Sequence, residues 1–178
     1  MVETSRGDTI ETAMIGRDGA VNASAALDHK MSMSKAVVLM PGLASVIDVK
    51  HLSDLSDRFG DLRRLLMHHQ QVLFAEVQQS GACNAIDEAE ARLARWLLRY
   101  RDLAESDELQ VTQDVLAQML AVRRPTVSLI AGILQRAGII KYRRGHITIL
   151  DVQALQDCAC ECYATVRGHY ERLQILRF

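Results

Sequence analysis

Between residues 112 and 150 the backbone is punctuated by residues that leave it little choice. Thr112 stands where a helix N-cap would, directly ahead of the apolar-periodic stretch 113–120. Asp114 places a negative charge at the positive end of that short helix. Ala121 and Val122 leave room only for a tight turn. Pro125 then falls in the first turn of a second helix, where its missing N–H costs little. That helix carries Val127, Ile130, Ala131, Ile133 and Leu134 on one face and ends at Gly138, a residue suited to a C-cap. The spacing predicts a helix over 124–137. Two short helices joined by a tight turn form the helix-turn-helix pattern.

The segments 139–142 and 147–150 are β-prone and flank Arg143, Arg144, Gly145 and His146. Gly145 permits a hairpin turn. A helix-turn-helix followed at once by a basic hairpin is a winged arrangement.

Charge follows the same boundaries. The chain of 178 residues has a formal net charge of −1. No acidic residue occurs between Asp114 and Asp151, whereas Arg123, Arg124, Arg136, Lys141, Arg143 and Arg144 all do. Such asymmetry is the electrostatic footprint of a module that meets double-stranded DNA. Aromatic residues make up only 4% of the chain, which argues against a stacking platform for single strands. The start of a recognition helix enters the major groove. Arginine there can bind guanine O6 and N7 together, and threonine can meet base edges or phosphate. Arg123, Arg124, Thr126 and Ser128 are the candidate base-reading residues. Arg143, Arg144 and His146 of the hairpin are candidates for the DNA backbone.

Upstream, the fold class reads as α+β, mainly α. Segments 35–40 and 44–49 are short apolar or β-branched runs around Pro41 and Gly42, and predict two strands about a turn. Arg17, Asp18 and Gly19 mark another turn. Ser53 or Asp54 is the expected cap of a short helix ending before Gly60. Helical spacing of Leu62, Leu65, Leu66, Leu73, Phe74 and Val77 predicts a long helix over 61–79, ended by Gly81. Its wide stripe suits its own domain on one side and a second copy of the chain on the other. A further helix follows over 85–101. The expected divisions are 1–55 for a partial sheet domain, 56–82 for the long helix and hinge, and 83–178 for the winged domain with a C-terminal helix.

The stretch 111–128 closely resembles the DNA-binding motif of the cyclic-AMP receptor/fumarate-nitrate regulator (Crp/Fnr) superfamily. The run 92–97 before it and the wing 138–147 are similar as well. The resemblance implies a transcriptional regulator that reads an inverted repeat as a homodimer, with the long helix as the dimer seam. It implies backbone contacts from Thr112 and Gln113, and base or phosphate contacts from Arg123, Arg124, Thr126 and Ser128. RNA polymerase is a further partner that it allows. Pro125 stands in the place of a base-reading glutamate and Leu129 in that of an arginine, so the operator is expected to differ from that of the cyclic-AMP receptor. The N-terminal part resembles only the second half of the family's β-roll, a cyclic-nucleotide-binding-like fold. Residues 14–19 resemble the start of its phosphate-binding cassette, but the cassette's glutamate and arginine-plus-hydroxyl pair are not evident. No cyclic nucleotide or other cofactor is therefore expected, and the effector stays open.

The cysteines are Cys83, Cys158, Cys160 and Cys162. They do not match the N-terminal cluster of the iron–sulfur branch. The last three fall on one expected helix over 152–176, where alternating thiols cannot all converge on one ion. Small buried side chains and no metal are the expectation, and Cys83 is too distant in sequence to place. A thiol- or metal-based redox sensor using Cys158, Cys160 and Cys162 is the alternative, with a protein-interaction adaptor as the third reading. His68 and His69 point about 100° apart on a helix and cannot readily chelate together. No phosphate-binding glycine loop, zinc-protease helix or nucleophile elbow occurs, so no enzyme is expected. No N-terminal apolar signal segment and no membrane-length apolar run is found, which points to the cytoplasm.

Overall fold

The computed structural model describes residues 1–3, 9–17, 19–27, 32 and 35–173. Helix dominates. Helix α1 (Val49–Arg58) starts at Asp48, whose carboxylate accepts from the N–H groups of Lys50 at 2.8 Å and His51 at 3.3 Å. The cap therefore lies upstream of Ser53 and Asp54. Phe59 adopts an extended conformation and separates α1 from the long helix α2 (Gly60–Ile86). Gly81 does not end α2. An isolated glycine costs about 1 kcal/mol in a helix, too little to break one held by packing. The break comes at Asp87, with φ −91° and ψ 145°, and at Glu88, before α3 (Ala89–Ala104).

Strand β3 (Glu108–Gln110), α4 (Gln113–Met119), α5 (Arg124–Arg136), β4 (Ile140–Arg143) and β5 (His146–Ile149) follow. The three strands form an antiparallel sheet with β5 in the centre. Leu109 pairs with Ile147, and Tyr142 pairs with Ile147 from the other side. β3 has no sequence signal of its own, being three residues long with only Leu109 buried. It exists because β5 offers it a ladder.

The main core lies where α3 meets this winged unit. Leu93, Trp96 and Leu97 of α3 are buried with Leu116, Val127 and Leu134. Truncating one of these leucines to alanine should cost about 2–5 kcal/mol.

The N-terminal region differs from the expected pair of strands. Strands β1 (Val2–Glu3) and β2 (Thr9–Ile10) form a two-residue antiparallel ladder, and Ala23–Ala26 makes a 3-10 turn. Segments 35–40 and 44–49 are not strands; Val38 and Val46 are almost fully exposed. Lys35 exchanges backbone hydrogen bonds with Met1, beside β1, at 3.0 and 3.3 Å, but no ladder continues from it among the described residues, and a strand without a ladder leaves its backbone unpaired. Among those residues the partial β-roll is thus reduced to one short ladder. Its continuation packs against the C-terminal half instead. Trp96 Nε1–H donates to Glu11 Oε2, and the Gln118 side-chain amide donates to the Thr9 hydroxyl. The turn at residue 19 forms, with Gly19 N–H on Gly16 O at 3.1 Å, while Asp18 lies outside the described residues.

The expected helix over 152–176 is two helices. α6 (Val152–Cys158) is capped by Asp151, which accepts from Ala154 N–H at 2.9 Å, and α7 is Cys162–Leu173. Ala159 turns extended between them, and residues 174–176 lie outside the described residues. Among the described residues no helix is long and apolar enough to cross a membrane.

Candidate nucleic-acid interface

The N-termini of α4 and α5 and the tip of the β4–β5 hairpin meet on one face. Thr112 Oγ1 accepts from Val115 N–H at 3.3 Å, the capping role its position predicts. After α4, Ala121 takes φ +52° and reverses the chain. α5 then begins at Arg124 with Pro125 in its first turn. It ends at Ala137, and Gly138 has φ +74°, the left-handed region that makes glycine the suitable residue after a helix.

The hairpin tip is a two-residue turn with Arg144 at φ +38° and Gly145 at φ +86°. Two successive left-handed residues give the twist that antiparallel strands require. The tip is also tied inward: Val111 N–H donates to Gly145 O at 2.9 Å, and the Gly145 α-carbon side faces the Thr112 methyl. Tyr142 N–H donates to Gln135 Oε1 at 2.8 Å, joining the wing to α5. The wing is thus held at the start of α4 and at the end of α5.

Arg123, Arg124, Ser128, Arg143, Arg144 and His146 are exposed, as is Thr112; Gln113 and Thr126 are half-buried. The polar side chains are already organised. Ser128 Oγ donates to Gln113 Oε1 at 2.6 Å, across the turn from α5 to α4. Arg124 Nε stands 3.3 Å from Asp114 Oδ1. Leu129, also on α5, is 62% exposed, so an apolar side chain stands free on the surface of this helix.

The family model for the Crp-like helix-turn-helix domain matches residues 91–158. That segment of the chain is a Crp-like helix-turn-helix domain. The Crp-like domain and the helices before it have the architecture of Crp/Fnr regulators. A Crp/Fnr-family transcriptional regulator from Thermus thermophilus is 27% identical, with 57% of this chain covering 55% of that one at a TM-score of 0.53. A second regulator of the CRP family from the same organism is 25% identical over 57% of this chain and 55% of its own, with a TM-score of 0.51. FixK2 from Bradyrhizobium japonicum is 18% identical over 64% of this chain and 60% of its own, with a TM-score of 0.59. The chain spans little more than half the length of these structures. No curated protein matches it.

A second cluster lies behind the Crp-like domain. Because the chain turns at 159–161, Cys160 and Cys162 leave the single helix on which they could not converge. Cys83 and Asp87 reach them from the last turn of α2. Cys83 Sγ lies 3.3 Å from Cys160 Sγ, and Cys162 Sγ is 3.6 Å from Asp87 Oδ2. All four donor atoms lie within 4.8 Å of one another. What this turn corrects is the single helix expected over 152–176, on which the thiols would have pointed apart. Cys158 stays outside the group and packs at the core's edge. The hydrogen bond with Cys83 holds the Cys160 thiol down at about 7 against burial. Sequence reasoning missed Cys83 because 77 residues separate it from Cys160. His69 is structural, its Nε2 lying 2.9 Å from Ala20 O.

Proposed function

We propose that this chain is a DNA-binding transcriptional regulator that reads an inverted repeat as a homodimer. The observation that carries the reading is the exposed start of α5, with Arg123, Arg124 and Ser128 exposed and Thr126 half-buried, beside a basic wing, in a stretch (115–150) whose sequence holds no acidic residue. Arg123 and Arg124 would enter the major groove, with Thr126 and Ser128 at base edges or adjacent phosphates. Thr112, Gln113, Arg143, Arg144 and His146 would contact the phosphate backbone. Pro125 and exposed Leu129 give the site apolar contacts, suited to thymine methyl groups.

The second copy would pack along α2. Met67, Phe74 and Val77 are 47%, 63% and 36% exposed and recur at coiled-coil spacing. The opposite side of α2, including Val72, Glu76 and Cys83, is buried within the chain. The domain divisions at 55 and 82 are then a sensor-side segment, a seam and an output domain.

In vitro selection of DNA sites with the full chain tests the reading. A two-fold-related consensus should emerge. Arg124→Ala should cost about 1–3 kcal/mol and relax preference at one position per half-site. Failure to enrich any sequence, with no salt-dependent DNA binding, would refute the proposal.

A further inference from the structure

We propose that Cys83, Asp87, Cys160 and Cys162 form a mononuclear site for a zinc-class divalent cation at the junction of α2 with the α6–α7 turn. The donors are brought together by fold, not by a local motif. Asp87 caps the end of α2, and its N–H donates to Cys83 O at 3.0 Å, which keeps it one turn above Cys83 on the same side of the helix. Cys160 precedes α7 and Cys162 begins it, so the change from extended to helical backbone turns both sulfurs toward α2.

The dimensions suit a single ion. Zinc–sulfur bonds of about 2.3 Å in a tetrahedron place sulfurs roughly 3.8 Å apart. The Cys83–Cys160 sulfur spacing of 3.3 Å and the 4.8 Å limit on every donor pair bracket that value, and the 3.6 Å from Cys162 Sγ to Asp87 Oδ2 suits a sulfur and a carboxylate oxygen on the same ion. An iron–sulfur cluster spreads its thiolate ligands over two or four iron atoms, so those on different irons lie farther apart than these donors. Three soft thiolates also discriminate against magnesium and calcium, which prefer oxygen cages.

The surroundings complete the case. Gln79 Nε2–H donates to Cys162 Sγ at 3.0 Å, orienting a ligand sulfur from outside the set. Three thiolates, one carboxylate and a divalent ion sum to a charge of −2. Arg95 is buried at 7% exposure beside Cys83 and Asp87, and its Nε has no hydrogen-bond partner among the described residues. A buried guanidinium so placed offsets that negative charge. Binding would replace three S–H protons with metal–sulfur bonds and release those protons to solvent; no electron is transferred. The ion would fasten the last turn of α2 to α7. Through α2, it would fix the proposed dimer seam relative to the DNA-reading domain. That consequence rests on the proposed function; the metal site itself does not.

The test uses the full, tag-free chain, purified under reductant without chelator. Elemental analysis should find one zinc per chain. Apo protein titrated with cobalt(II) should develop the thiolate-to-cobalt charge-transfer band and the strong visible bands of a tetrahedral site. Cys160→Ser should weaken cobalt binding by at least about 10-fold, while Cys158→Ser should leave the spectrum and stoichiometry unchanged. If the serine variant fails to fold, the wild-type cobalt spectrum and its loss on thiol alkylation decide. The proposal is overturned if reduced wild-type chain carries no zinc and gives no thiolate–cobalt band. It is equally overturned if Cys83 and Cys160 prove to be a disulfide and the reduced thiols ignore cobalt. A chain that binds metal but no DNA would keep the site and refute the proposed function.

Discussion

The guanidinium of Arg124, at the first position of α5, pairs with the carboxylate of Asp114 on α4, Nε to Oδ1, at 3.3 Å. Both side chains are largely exposed, at 63% and 70%. An exposed pair of this kind contributes about 0.2–1 kcal/mol. Asp114 therefore restrains Arg124 weakly and stands near the phosphates that Arg124 would approach. Asp114→Asn should raise DNA affinity about 3- to 10-fold at low salt, by freeing Arg124 and removing a repulsive charge. The same change should lower stability by about 0.5 kcal/mol, because a carboxylate favours a helix N-terminus. Fluorescence anisotropy across a salt series and urea unfolding measure the two effects, which have opposite signs.

Arg144 occupies a left-handed turn position at φ +38°. A non-glycine residue there costs about 1–2 kcal/mol. Arg144→Gly should raise thermal stability while removing a wing charge. DNA affinity should fall to a similar extent on all sequences, with the salt slope reduced by about 1. A loss confined to one base position would instead mark Arg144 as a base reader.

Phe74 is 63% exposed in the middle of α2. Phe74→Glu would place like charges across a two-fold seam. Sedimentation velocity should show dimer converted to monomer, and binding to a full inverted repeat should weaken by at least about 100-fold, with half-site binding retained. A dimer that persists would place the seam elsewhere.

Glu11 is buried, and burial lifts its carboxyl from an ordinary 4.5 to about 7, against the opposing Trp96 N–H bond and Arg95 charge. Glu76 adds a smaller upward push. Below pH 4.5 the proton is bound in both native and unfolded chains, and Glu11 imposes no pH dependence. Between 4.5 and 7 the native state holds a proton that the unfolded chain has lost, so this contribution to stability falls as pH rises. Above 7 it levels off, with about 3 kcal/mol lost across the window. Glu11→Gln should flatten that slope and unfold at higher urea concentration than the parent at pH 8. Urea midpoints between pH 4.5 and 8 check it.

The winged helix-turn-helix was legible in the sequence because each of its parts is set locally. Thr112 caps α4, Pro125 starts α5, Gly138 follows it, and Arg144 with Gly145 turns the hairpin. Backbone chemistry at these positions admits few alternatives, and the absence of acids between Asp114 and Asp151 marks the face. Elements without local punctuation were read less well. β3 depends on pairing with β5, and α2 continues through Gly81 because packing outweighs a glycine's small penalty. The segments around Pro41 and Gly42 have strand-like composition but form no ladder among the described residues beyond the pairing of Lys35 with Met1. Sequence alone located the candidate interface, whose residues lie within a few turns of one another. Only the tertiary structure decided the cysteine cluster. A turn at Ala159 and the packing of α2 against α7 bring Cys83 to Cys160 across 77 residues, a proximity that no local periodicity encodes.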